Sequence, residues 1–533
     1  MENFITTPFV LEDFYKLSHV VFYKDVTGTY ATFTHRNSKR PGIDKMVVFG
    51  IQAFVKNVND YFSTKFFNYT EDEAVQKFID FNSKTGNVVK EVFVDKLKSL
   101  HQLGYLPIKI KALPEGSLVS HNVPFATIQS TNEDSFWVAQ WIETWFSNEV
   151  WRACTSATTS YYYRSILNKH NAQTSDTDWI KDWQCHDFSA RGMAGWFDAS
   201  ISGAAHCLSF LGSDTCSTVD FVEYYYPGDN GLILSSVPAT EHSIQQAFLD
   251  PETSNTFESD CDYTQNTIDA CPSGIVSQVS DGYDYYGFLQ NVLPLFKNKI
   301  LARDGKFVIR PDSSPKTPYE IIVGDSEATE GSIEHKGTVE YLYELFGGTI
   351  NSKGYKVLDS HIGLIYGEAI NLVLWDKILV GLADKGFSSD CIVVGVGSAS
   401  FTGYGGGLYE FTNPQPYGIS RDTHGMAIKE TAVASGFGAE QVWRPTFKDP
   451  KTDNSGKKSH RGFLRVENVD GEFVVHQNIT GMYDMNINSL EDYKKCVKPE
   501  NDAMDIVYLN GDILRMQSFA EVRAELKKFL TNV

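Results

Sequence analysis

Between about residues 180 and 400 the chain repeats one rhythm, and that rhythm limits the folds open to it. Short runs rich in β-branched residues end in polar positions at Asp187, Asp214, His242, Asp281, Arg310, Glu368 and Gly397, with helix-length stretches between them. Asp281 and Asp312 are 31 residues apart and Gly367 and Gly397 are 30 apart. Both gaps approach the roughly 30 residues of a strand–helix–strand unit. Strands that repeatedly deliver polar side chains at their C-terminal ends point to an α/β barrel, whose active site lies on that rim. An open doubly wound sheet is the alternative.

The flanking segments read differently. Residues 50–105 carry apolar side chains at three- and four-residue spacing, the pattern of amphipathic helices. LPIKIKALPEGSLVSHNVPFATIQST (106–131) alternates with Pro and Gly punctuation, as antiparallel strands do. A long helical stretch follows. Residues 402–419 form a Gly/Tyr/Pro-rich loop and 448–461 a basic one. GFLRVENVDGEFVVHQN reads as a hairpin on an Asp-Gly turn that would rejoin the earlier strands. Ser518 and Glu521 are spaced to cap a final helix. The expected division is 1–179 (helices and the start of a β domain), 180–400 (the barrel) and 401–533 (return to the β domain, then a helix).

In 533 residues, 47 basic side chains face 67 acidic ones, a formal charge of −20. Such a chain lacks the basic face that counterion release on nucleic acid requires, so no nucleic-acid partner is expected. A phosphorylated ligand must instead meet a local basic cluster. The candidates are Arg36, Lys39 and Arg40, then Arg421 and Lys429, then Lys448 and Lys451, although a solvated face is the ordinary explanation for such charges. Eight cysteines show no C-x-x-C spacing, which argues against a zinc site or a disulfide framework. The start of the chain lacks a secretion-signal pattern, and no apolar run approaches the ~18 residues of a membrane span. A reduced, cytoplasmic protein without membrane contact is the expectation.

Several strand ends carry side chains suited to chemistry. Asp187 and Asp214 flank Phe188 and Arg191, though helix capping is the commoner fate of such carboxylates. His242 fits a general base, a phosphoryl acceptor or an interior hydrogen-bonded histidine. Asp281 and Asp312 suit Mg²⁺, directly or through water, and Arg310 offers a planar fork for diphosphate; a structural Arg–Asp pair accounts for them equally well. The glycines of YGEAIN (366–371) and VVGVGSAS (393–400) either admit a phosphate or make tight turns.

Taken in order, DFYKLSH (13–19), LPIKIKALPEG (106–116), QWIET (140–144), HDFSARG (186–192), GSDT (212–215), SVPATEHS (236–243), VSDGYD (279–284), IRPDS (309–313), NSKGYK (351–356), SRDTHGMAIK (420–429) and FKDP (447–450) resemble the nicotinamide phosphoribosyltransferases of the type II phosphoribosyltransferase family. The resemblance runs almost end to end. It implies a barrel plus a mainly antiparallel β domain, and a homodimer with shared sites. It places a nicotinamide ring between Phe188 and Tyr15 of a second subunit, with Asp214 on the carboxamide and Arg191 nearby. Arg310 falls at the diphosphate, Asp281 and Asp312 around Mg²⁺ and ribose, Gly367 and Glu368 at the ribose hydroxyls, and Gly397 and Ser398 at the 5′-phosphate. Arg36, Arg421, Lys429 and Lys448 clamp phosphates, and His242 aligns with a histidine that some members phosphorylate from ATP. The chain departs from the family pattern at Gly367-Glu368-Ala369, where Gly-Asp-Gly is common, and at Ala427, where a serine is expected. The family's phosphate-binding glycines correspond to GVGSA (395–399) or to GYGGG (403–407). The rival functions are a nicotinate phosphoribosyltransferase and a catalytically idle homologue that only binds.

Overall fold

A computed structural model describes residues 4–86, 91–312, 317–367, 370–403, 418–452, 458–485 and 487–530. Glu368 and most of the 402–419 loop lie outside the described residues. Contacts divide the chain into two units: Met1–Thr158 with Phe221–Asn230 and Ile419–Lys528, and Thr159–Asp220 with Gly231–Gly418 and Phe529–Val533. None of the eight cysteines forms a disulfide. Among the described residues no helix is long and apolar enough to cross a membrane.

The first unit holds a seven-stranded antiparallel sheet in the order Val442–Pro445, Ala427–Ser435, Gly28–Thr34, Pro124–Ser130, Ile108–Ala112, Asp505–Leu509, Asp512–Ile513. The C-terminal third of the chain therefore does return to strands laid down early. It does so through Ala427–Ser435 and Asp505–Leu509. The Asp-Gly hairpin, Arg465–Val469 with Glu472–His476, pairs only with itself. Asp470 and Gly471 adopt φ of 52° and 88°, the left-handed values of a type I′ turn. Helices Ile51–Phe62, Glu71–Ser83 and Glu91–Leu103 occupy the segment expected to be helical. Thr70 and Glu73 form a reciprocal capping box at the second of these. Ser518 and Glu521 do the same for Phe519–Leu530, with Ser518 N–H donating to Glu521 Oε2 at 2.7 Å and Glu521 N–H to Ser518 Oγ at 3.2 Å.

Strand Ile108–Ala112 is buried on both faces, its two lysines included. Lys111 Nζ meets Asp502 Oδ2 at 2.8 Å and Asp484 Oδ2 at 3.5 Å, and Lys109 Nζ donates to the Asp484 carbonyl. Burial pushes the Lys109 ammonium down to about 8. Buried charges persist only when paired in this way.

The second unit is built on a five-stranded parallel sheet in the order Cys185–Asp187, Val393–Val396, Ile362–Tyr366, Phe307–Arg310, Val276–Val279. Isolated parallel bridges extend it at both edges: Asp187 to Ser213, Gly212 to Ser235 and Ala239 to Ser277. Parallel strands need long crossovers. Helices Thr256–Ala270 and Leu372–Asp384 supply two of them, each started by an asparagine side chain (Asn255, Asn371) that accepts a backbone N–H from its first turn. The apolar core packs beneath, and Trp375 is fully buried.

Candidate active site

The C-terminal ends of the parallel strands bring together Asp187 and Phe188, Asp281, Arg310 and Asp312, Gly367, Gly397 and Ser398, with Asp214, Ser236 and His242 on or just after the adjoining bridged segments. Parallel strands all end on one edge of their sheet, so residues hundreds of positions apart converge there.

Asp187 is wholly buried and takes no outward role. Its Oδ1 accepts from Ser189 N–H at 2.9 Å, and its Oδ2 accepts from the hydroxyls of Thr215 (2.7 Å) and Ser213 (3.2 Å), tying two loops together. The exposed carboxylate is Asp214. His186 Nε2 lies 3.1 Å from its Oδ1, and the Ser236 hydroxyl donates to the same oxygen. Neither contact uses Oδ2. Burial works to raise the Asp214 pKa, but the hydrogen bonds from His186 and Ser236 and the charge of Arg310 outweigh it and hold the carboxyl below its ordinary range. Asp214 is therefore an anion at neutral pH.

The Phe188 ring packs against the His186 ring that holds this anion, 5.0 Å centroid to centroid. It rests on backbone without side chains: a Cβ on Gly395 would come 2.5 Å from Phe188 Cε2, and one on Gly367 would come 3.5 Å from it and 3.1 Å from Asp312 Oδ1. These two glycines make room for an aromatic ring. Close approach recurs at Gly192, where a Cβ would lie 2.5 Å from Ser398 Cβ, so the turn carrying the exposed Arg191 packs against the Gly397-Ser398 turn.

Asp281 forms a second polar centre. Its Oδ1 lies 3.0 Å from His242 Nε2 and its Oδ2 accepts from Asp312 N–H at 2.7 Å. His242, a third exposed, presents the rest of its ring to solvent. Arg310 Nη2 donates to the Thr240 carbonyl at 2.8 Å, while its Nε is buried with no hydrogen-bond partner among the described residues. Among those residues no group of three or more His, Cys, Asp or Glu side chains is placed to hold a metal unaided. Two carboxylates suffice for Mg²⁺, which keeps several waters and draws its remaining ligands from substrate phosphates.

The other sequence candidates belong to the first unit. Tyr15 is 60% exposed on the turn Phe14–Ser18. Arg36 Nε donates to the Gly425 carbonyl at 2.9 Å, and Arg36 and Lys429 line one cavity of about 180 Å³. Burial and the charges of Arg36, Lys448 and Arg421 depress the Lys429 pKa, and Glu143 opposes them. Four cations drawn from three segments of sequence therefore lie near one another. Arg40, by contrast, is buried, and Lys39 and Lys451 are exposed.

Sequence reasoning missed His186 and Ser236, which set the state of Asp214, and Lys458 and His460, which share the cavity with Arg36 and Lys429. His186 lay inside a noted motif, yet no spacing rule tied it to a residue 28 positions away.

Comparison with known proteins follows the same outline. The sequence model of the nicotinate phosphoribosyltransferase (NAPRTase) family matches residues 183–483. A relative from Acinetobacter baylyi, named nicotinamide phosphoribosyltransferase, is 35% identical over 99% of this chain and 98% of its own. One from Xanthomonas campestris with the same name is 31% identical over 96% of each chain. The crystal structure of nicotinate-nucleotide pyrophosphorylase from Pyrococcus furiosus superposes with a TM-score of 0.54 at 13% identity, covering both chains fully, a likeness of fold alone.

Proposed function

The chain belongs to the nicotinate phosphoribosyltransferase family, and on that premise we propose that it transfers the phosphoribosyl group of phosphoribosyl pyrophosphate to nicotinamide, giving nicotinamide mononucleotide and pyrophosphate. The observation that carries the choice of substrate is the Asp214 carboxylate. It is ionised and is oriented through Oδ1 by His186 and Ser236, and the same His186 ring packs on Phe188. A carboxamide offers it an N–H donor. A nicotinate carboxylate offers none and adds a second negative charge. A hydrogen bond to a charged group contributes about 1.5–3 kcal/mol, roughly ten- to a hundredfold in selectivity.

The remaining roles are those the resemblance implies, and they fit the chemistry. The pyridine nitrogen has a free lone pair, so no residue need deprotonate the nucleophile. The barrier lies in positive charge growing at ribosyl C1 and negative charge growing on the departing diphosphate. Phe188 and, from a partner subunit, Tyr15 sandwich the ring; each aromatic pair adds about 0.5–1.5 kcal/mol beyond area burial. Arg191 lies beside the ring. Arg310, restrained by Thr240, directs its guanidinium at the diphosphate. Gly367 faces the ribose hydroxyls, and Gly397 and Ser398 face the 5′-phosphate; Glu368, expected at the ribose from the resemblance, lies outside the described residues. Arg36, Arg421, Lys429 and Lys448 of the partner clamp the phosphates, which makes the working species a homodimer. Asp281 and Asp312 would hold Mg²⁺ through water. Mg²⁺ there would neutralise charge on the leaving pyrophosphate.

Asp281 holds His242 through Nε2, leaving Nδ1 as the atom that would take a phosphoryl group if ATP is coupled to the reaction. We further propose that the parallel strands close into a barrel, with the segments at 211–213 and 235–239 as the missing staves. The ladder Asp187–Ser213, Gly212–Ser235, Ala239–Ser277 runs from one edge strand to the other and supports this.

Steady-state assays with nicotinamide and with nicotinate, each with and without ATP, test the reading. The wild type should prefer the amide and Asp214→Ser should lose that preference by ten- to a hundredfold. Unchanged selectivity in the variant would refute the role of Asp214, and no turnover of either pyridine would leave only a binding protein.

A further inference from the structure

The cavity in the antiparallel unit carries more than the two cations assigned above. Lys458 and His460 also line it, with Asn122 and Gln477 as neutral partners. Lys458 is mostly solvent-exposed and pairs with Asp449 at 3.1 Å. His460 is held in place. Lys448 N–H donates to Ser459 Oγ at 2.8 Å, Ser459 N–H donates to the Lys448 carbonyl at 3.0 Å, and the His460 ring is hydrogen-bonded to the Asn122 backbone. Burial lowers the pKa of this histidine, so without an anion it is neutral. The charged groups around it are Arg36, Lys429 and Lys458, with Asp449 beyond Lys458; His121, next to Asn122, is itself driven toward the neutral form by burial.

We propose that His460 is a further anion-binding residue of this cavity and takes up one proton when a diphosphate enters. The inference rests on the reading of Arg36 and Lys429 as a phosphate clamp. The proton comes from solvent and adds to the ring nitrogen that is not engaged with Asn122; no bond breaks. In the empty cavity burial disfavours the charged ring. A multiply charged anion in the cavity supplies the opposite charge that favours the protonated ring, and the imidazolium then becomes a donor to it. Linkage makes the effect reciprocal: if the anion favours the proton, the proton favours the anion. Anion affinity should rise as pH falls, by up to about tenfold per pH unit between the free and bound pKa values of His460.

Isothermal titration of inorganic pyrophosphate into the full-length protein near neutral pH, in two buffers of different ionisation enthalpy, reads the proton count. Wild type should take up more protons than His460→Gln, the protonation of pyrophosphate itself cancelling in the difference. Equal uptake would overturn the proposal. Sulfate, which does not titrate in this range, gives a test on the wild type alone: its Kd should fall several-fold as the pH is lowered by one unit, and a flat profile would equally overturn it. Neither measurement needs turnover. A protein inactive on nicotinamide but showing the proton linkage loses the transferase reading and keeps this one. An active protein without the linkage does the reverse.

Discussion

Gly395→Ala tests whether the ring platform at Phe188 is set by the empty space beneath it. A methyl group at 395 would stand 2.5 Å from Phe188 Cε2 and 2.8 Å from the Gly367 Cα, and nothing there can yield cheaply: one neighbour is a rigid ring and the other is backbone. Phe188 Cδ2 is closer still, so to reach the 3.4 Å of ordinary contact the ring must retreat by about 1 Å. Overpacking of this kind costs about 1–3 kcal/mol of stability. A displacement near 1 Å in a positioned group can cost about a hundredfold in rate, whereas loss of the stacking contact alone would cost about two- to tenfold. The KM for nicotinamide should therefore rise at least severalfold, with kcat falling and the KM for phosphoribosyl pyrophosphate much less affected. Gly397→Ala is the contrast, because a Cβ there meets nothing within 4 Å. It should leave thermal stability unchanged, with any kinetic effect on phosphoribosyl pyrophosphate. Thermal melts and separate KM determinations read both variants. If Gly395→Ala binds nicotinamide like the wild type and melts at the same temperature, the ring is not held by that gap and the platform argument fails.

Asp502→Ala leaves Lys111 buried with the longer contact to Asp484 and the face of Tyr483, and should destabilise the fold by about 3 kcal/mol in chemical denaturation; a change under about 1 kcal/mol would mean that the network adds little. The depressed pKa of Asp214 fixes a sign: its contribution is complete above its ordinary value of 3.8 and is lost only as pH falls through the lower folded value, so nicotinamide binding should show no acid limb from this group above about pH 5. In His186→Ala, burial is opposed only by Ser236 and Arg310. An acid limb should then appear at higher pH than in the wild type, and an unmoved profile would remove His186 from the account.

Much of the candidate site was legible because strand ends announce themselves: a β-branched run that stops at Asp, Arg or Gly marks a C-terminal rim whatever the chain does next. Asp214, Arg310 and Gly397 were found that way. Asp187 was found by the same rule and serves a different end, since only burial distinguishes a carboxylate that ties Ser213 and Thr215 to Ser189 from one that faces outward. His186 and His460 escaped because their partners are set by packing across tens or hundreds of residues.

Local order followed from the sequence alone. Helix spacing between 50 and 105, the cap at Ser518 and the Asp-Gly turn at 470–471 are decided by neighbours a few residues apart, and the structure keeps each one. What Ile108–Ala112 became was decided elsewhere. Its alternation of isoleucine and lysine describes a strand with one wet face, yet Asp484 and Asp502, nearly four hundred residues later, cover that face and turn both lysines into buried ion-pair partners. The same dependence governs Asp214, whose charge is secured by a histidine and a serine delivered from other strands. Backbone propensity and periodicity act over one or two turns of chain, whereas burial and charge depend on whatever the fold brings within a few ångströms.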